Sequence, residues 1–204
     1  MKMDLKKINF TKSKLIISII SIIYLLIFAF LFIKNQNYEF LAYVVVIFAL
    51  MAVLFILNLK FNFSRSSFVG LSVLFLLHML GGHLIIDGVR LYGHHVALGI
   101  RFDKLIHLFG TYIGTLIAFE LLRPYLKDKL KNSPMESMFL ILIGIGIGAV
   151  YEILEFILVL ALPETGVGGY VNTMGDIIAD SVGACLAVTY LNIKLNMKSK
   201  KPAS

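Results

Sequence analysis

The chain has 204 residues, of which 59% are apolar and only 15% charged, and its mean hydropathy is +0.89. These values exclude an ordinary soluble domain and a disordered chain, and they point to a protein whose main solvent is lipid. The net charge of +7 does not imply a nucleic-acid partner, because the basic residues fall in short clusters between apolar runs, which is a topology signal.

Six apolar segments meet the roughly 17 to 25 residues that a membrane helix needs, or exceed it by an amount that tilt absorbs. They cover 15–33, 39–57, 67–86, 103–122, 137–162 and 174–193. The predicted fold is all-α: one polytopic membrane domain over 1–204 with six transmembrane helices. The first run follows Lys12 and Lys14, is longer than a signal-peptide core and has no small-residue cleavage site, so it reads as a retained helix. The single cysteine, Cys185, permits neither an internal disulfide nor a thiolate metal cluster.

Fifteen of the nineteen Lys and Arg residues fall at the termini or in the loops 58–66 and 123–136, against four on the alternate side, Lys34, Arg90, Arg101 and Lys104. That excess predicts both termini in the cytoplasm and the loops 87–102 and 163–173 outside. Helices one and two carry no interior ionisable residue and are expected to face lipid. Helices three to six hold the interior His, Asp and Glu residues and most glycines, and are expected to form the working bundle. Gly110 with Gly114, and Gly144 with Gly148, have the spacing that lets backbones approach closely.

Within that bundle the acids come in pairs. Asp103 and His107 are four apart, Glu152 and Glu155 three apart, Asp176 and Asp180 four apart, so each pair shares one helix face. At about 1.5 Å per residue from the predicted outer helix ends, all lie in the outer half of the membrane. An unpartnered acid there costs roughly 2.5 to 3.5 kcal/mol, so the pairs must meet partners from other helices. The loop 87–101 is expected to place Arg90, His94, His95 and Arg101 above them as an anion-tolerant rim, with His83 and Asn172 also on the substrate side. More ordinary roles are expected elsewhere. Glu120 snorkels or pairs with Arg123, His78 is a neutral core histidine bonded to a carbonyl, and His94 and His95 are exposed.

Carboxylates with histidine suit a hard or borderline divalent cation, with His107, Glu155, Asp176 and Asp180 as the expected ligands. Such a metal activates water or clamps a phosphate oxygen. The catalytic candidates are Asp103, His107, Glu152, Glu155, Asp176 and Asp180; the substrate-binding candidates are Arg90, His83, Arg101 and Asn172. Facing the outer leaflet, the site would meet membrane lipid or lipid-linked head groups. No serine elbow, phosphate loop or zinc-protease motif fixes the reaction class. The competing readings are a cation- or proton-coupled carrier and a purely structural membrane protein. Six helices without an inverted repeat, and an inner half poor in polar groups, speak against transport.

Three stretches in order, Phe102-Asp103-Lys104-Leu105-Ile106-His107, Tyr151-Glu152-Ile153-Leu154-Glu155 and Asn172-Thr173-Met174-Gly175-Asp176 with Asp180 and Gly183-Ala184, resemble the YjdF-like family of bacterial inner-membrane proteins. The resemblance covers about half the chain and implies a multi-pass protein of the bacterial cytoplasmic membrane, with no reaction attached. More distantly the chain is similar to VanZ-like proteins, which share Asp-Lys-x-x-His and a late acidic motif and are linked to glycopeptide resistance. Asn172 stands where the YjdF-like family often has Asp, so no charged-ligand role carries over to it.

Overall fold

The computed structural model describes residues 11–96, 99–126 and 133–199. Among them six helices are each long and apolar enough to cross a membrane: α1 (Lys12–Lys34), α2 (Tyr38–Phe61), α3 (Arg65–His83), α4 (Phe102–Leu126), α5 (Pro134–Ala161) and α6 (Tyr170–Ser199). The basic clusters before Lys12, over 127–131 and after Ser199 lie outside the described residues.

Local chemistry sets several ends. Asn37, Ser64 and Ser133 accept from the backbone N–H three residues on, and Pro134 fills the first helical position of α5, where its missing N–H costs nothing. Asn62 ends α2 in the left-handed conformation. Expected to run to Ile86, α3 stops at His83. There Ile85–Ile86 (β1) pairs antiparallel with Val89–Arg90 (β2) across Asp87-Gly88, both at positive φ. Asp-Gly favours this tight hairpin turn because its two central residues need positive φ. α6 begins at Tyr170, earlier than expected, so Asn172 lies on the helix one turn ahead of Asp176.

α4, α5 and α6 pack together at the centre, α3 joins α4 to α1, and α1 carries α2. In lipid, apolar surface gives no net drive between helices, so close packing does the holding. Glycine makes it feasible. A side chain at Gly183 would run into the Leu108 carbonyl, where α6 presses on α4. One at Gly144 would meet Thr115 and Ala184, and one at Gly148 the Asp180 carboxylate. Gly110 and Gly114, by contrast, meet only the side chains of Leu74 and Ile147 at 3.3 to 3.6 Å.

The first two helices do more than face lipid. Leu25, Phe28 and Phe32 of α1 pack with Phe40, Tyr43, Val44 and Ile47 of α2 and with Phe75 and Met79 of α3. Near the opposite end of the bundle, Lys14 Nζ is buried and donates to Asn62 Oδ1 at 2.8 Å and Asn58 Oδ1 at 3.3 Å. Glu120 does not merely snorkel: its Oε2 accepts from Ser64 N and Ser67 Oγ, each at 3.0 Å, and so holds the start of α3 to α4.

Candidate functional site

His107 is the hub. Its helical spacing on α4 places Asp103 one turn above and Thr111 and Thr115 one and two turns below, all four buried. Asp180 of α6 lies 3.4 Å from Nδ1, while Glu152 of α5 and Asp176 of α6 each lie 3.6 Å from Nε2. Thr111 Oγ1 shares its proton between Asp180 Oδ1 and the His107 carbonyl. A carboxylate on Nδ1 orients the ring and favours the proton there, leaving Nε2 toward the Glu152 side. Gly148, one turn before Glu152, leaves the space that the Asp180 carboxylate fills.

Lys104 is a site residue that the sequence reading counted among the outer-side charges, just inside helix four, without giving it a role in the site. Its Nζ donates to Asp176 Oδ1 at 2.6 Å, Asp103 Oδ2 at 3.3 Å, and the backbone and side-chain oxygens of Asn172 at 3.0 Å each. Asn172 also donates from Nδ2 to Asp176 Oδ2 at 2.7 Å and accepts from Arg101 Nη1 at 2.6 Å. Asn172 therefore acts as a neutral bridge between a guanidinium, an ammonium and a carboxylate.

The cluster opens toward the end of the bundle that carries the hairpin and the α5–α6 loop, into a cavity of about 730 Å³. Its walls include Arg90, Arg101, Asp103, Asn172, Tyr43 and Glu155. Glu39, the only acid between Lys12 and Ile86, joins that wall from α2. Its Oε2 accepts from Arg90 Nη1 at 2.9 Å and from Gly166 N at 2.8 Å, tying the hairpin to the α5–α6 loop. α2 was expected to be a lipid-facing shelter; Glu39 and, one turn on, Tyr43 make it part of the chamber instead.

Not every candidate arrives. His83 sits edge-on to Phe28 and Phe32, with ring centroids 5.7 and 6.1 Å away, and is not on the cavity wall. His94 and His95 also lie off that wall. His78 is buried among Phe40, Tyr43, Tyr92 and Tyr151, and the partner of its Nδ1 is the Tyr92 hydroxyl rather than a carbonyl. Burial holds the Tyr92 phenol well above the ordinary tyrosine range, so it stays a donor.

The four expected metal ligands do not converge on one point. Instead, two three-residue groups share His107: Asp103, His107 and Asp176 on one side, and His107, Glu152 and Glu155 on the other. Within each group the donor atoms lie within 4.8 Å of one another, which brackets a cation at the 2.0 to 2.6 Å usual for N and O ligands. Asp180 faces the back of the imidazole, outside both groups. Lys104 already sits between Asp103 and Asp176, whereas Glu152 Oε1 is buried and accepts no hydrogen bond from the described residues. The second group is thus the better fit to a metal. Asp103 Oδ1 and Asp180 Oδ2 are similarly unmatched.

Six spanning helices around a buried acid and histidine cluster define an integral membrane protein with an intramembrane polar chamber. The chain belongs to the family described as "Predicted membrane protein (DUF2238)", which matches residues 16–197. Nothing in that match supports the more distant likeness to VanZ-like proteins. No curated protein and no solved structure matches the chain.

Proposed function

We propose that this protein holds one divalent cation between His107, Glu152 and Glu155, and uses it to bind, and to hydrolyse or transfer, the phosphate-bearing head group of a membrane lipid or lipid-linked precursor. The observation that carries this reading is a charge imbalance in a place where imbalance is costly. Five carboxylates, Asp103, Glu152, Glu155, Asp176 and Asp180, gather around His107 with two permanent cations, Arg101 and Lys104, since an imidazole that ligates a metal through Nε2 and keeps its proton on Nδ1 is neutral. Up to three negative charges are left over in a low-dielectric interior, and one divalent ion offsets two of them. An imidazole with carboxylates suits an ion of the Zn²⁺ or Mn²⁺ type.

The cavity supports the second half of the reading. Arg90 and Arg101 are 41% and 33% exposed on its wall, with guanidinium geometry suited to phosphate oxygens. Phosphate held there would stand in the same cavity as Glu155, and a cation held by His107, Glu152 and Glu155 would supply polarisation of a phosphate oxygen or activation of water. In the orientation given by the basic clusters, the cavity faces the outer side of a bacterial cytoplasmic membrane, where lipid and lipid-linked head groups are presented. The resemblance to YjdF-like proteins implies the same membrane, with no reaction attached.

A carrier is the weaker reading. The polar column of Asp103, His107, Thr111 and Thr115 runs on to Phe119, which packs with Leu140, Val188 and Leu191 as an apolar plug. Detergent-purified protein is expected to contain about one divalent ion per chain, lost in a Glu152→Gln, Glu155→Gln double variant. Metal-free wild type, with stability indifferent to added Mn²⁺ or Zn²⁺, would remove the reading.

A further inference from the structure

Lys104 Nζ is surrounded by four oxygens within 3.3 Å: one from each of two carboxylates, Asp103 and Asp176, the amide oxygen of Asn172 and the backbone carbonyl of Asn172. Carboxylate, amide and main-chain oxygens together are the donor set that hard cations take. The Lys104 side chain is only 18% exposed, and Asp103 and Asp176 are 5% and 1% exposed. Gly175 leaves room for the lysine stem, since a Cβ there would stand 3.0 Å from Lys104 Cε. A second feature points to cation demand at the same spot. Asp103 Oδ1 is buried and accepts no hydrogen bond from the described residues.

We infer that Lys104 is a tethered cation filling what would otherwise be a second metal position, so that the centre is built for one metal ion and one ammonium. The inference rests on reading the cluster as a cation centre. His107 Nε2 faces both positions but has one lone pair, so one ion takes it and the position at Lys104 is built of oxygens alone. That second cation is covalently part of the chain. An ammonium carries half the charge of a divalent ion and cannot generate a hydroxide as a metal does, so the two positions are not equivalent. Water activation belongs to the His107–Glu152–Glu155 side, and the Lys104 side positions and neutralises.

Removing the tether tests this. Lys104→Met keeps the length and apolar stem of the side chain and deletes the charge; Lys104→Arg keeps the charge. The full-length protein is purified in detergent, and its bound Ca²⁺ and Mn²⁺ are counted by equilibrium dialysis and elemental analysis. Wild type and Lys104→Arg are expected to hold one ion per chain, and Lys104→Met two, the added ion being Ca²⁺. Because the methionine variant leaves Asp103 and Asp176 without their nearest cation, its melting temperature is also read with and without Ca²⁺. A Ca²⁺-dependent rise confined to that variant supports the inference even if the variant is unstable without the ion. An unchanged ion count with no Ca²⁺-dependent rise overturns it, as does a second ion in wild type. Wild type with none and Lys104→Met with one would support Lys104 as the tethered cation, and would remove the metal from the proposed function and from the count of one metal and one ammonium.

Discussion

Lys104 Nζ lies 2.6 Å from Asp176 Oδ1, and this pair joins the first turn of α4 to the second turn of α6 with the carboxylate 1% exposed. Removing one partner of a buried pair costs up to about 3 to 5 kcal/mol, and here less, because Lys104 keeps Asp103 Oδ2 at 3.3 Å. Asp176→Asn is therefore expected to lower the melting temperature markedly. It also weakens the Asn172 Nδ2 contact, which Asp176 Oδ2 accepts at 2.7 Å. A variant melting like wild type would show that the pair holds nothing together.

Glycine substitutions separate packing from helix propensity. Gly148→Ala places a methyl on the Asp180 carboxylate, and Gly144→Ala places one on Thr115 and Ala184, whereas Gly146 has nothing within 4 Å of an added Cβ. The first two are expected to cost about 1 to 3 kcal/mol by overpacking. Gly146→Ala should be neutral or slightly stabilising, since alanine is the better helix former. Equal melting temperatures for all three would contradict the packing of α5 on α4 and α6.

Those glycines also mark what was legible in the sequence. Hydropathy and length revealed six spans, and i, i+4 spacing identified the acid faces, because both signals are local. The Gly144 and Gly148 spacing pointed to the right helix. Gly183, whose added Cβ would meet the Leu108 carbonyl, stands at the same spacing from Ala179 and Ala187, but which helix lies opposite it is not a local signal. Glu39 illustrates the same limit. As the sole acid of the first three spans it was visible, but its role needs Arg90 and Gly166, 51 and 127 residues away. Lys104 looked like one more outer-side charge at the start of helix four because its neighbours in sequence are Asp103 and a hydrophobic run, while the cage around it comes mostly from α6. The Asp87-Gly88 hairpin, in contrast, was a local signal hidden by the apolar Ile85-Ile86 that precedes it.

Glu39 is expected to govern access to the cavity. Glu39→Gln weakens the link to Arg90 and to the Gly166 amide, so hydrogen exchange at Gly166 and over the hairpin should quicken several-fold while the spans keep their protection. Exchange unchanged at Gly166 would mean that the loop is held by something else.

Tyr92→Phe removes the partner of His78 Nδ1 in a setting of four aromatic rings. A buried acceptor or donor left unmatched costs about 1 to 3 kcal/mol, and thermal unfolding in detergent should register that loss. A second change, His78→Phe, should recover part of it, since both polar atoms are then gone; strictly additive losses would show that the two side chains are not coupled.

The most direct test of the cation centre is anomalous X-ray scattering from crystals of the full-length protein grown with Mn²⁺. One peak among His107 Nε2, Glu152 and Glu155, lost in the Glu152→Gln, Glu155→Gln variant, is the expected result. Density without any anomalous peak in this cluster, from crystals of the same protein saturated with Mn²⁺, would contradict the account.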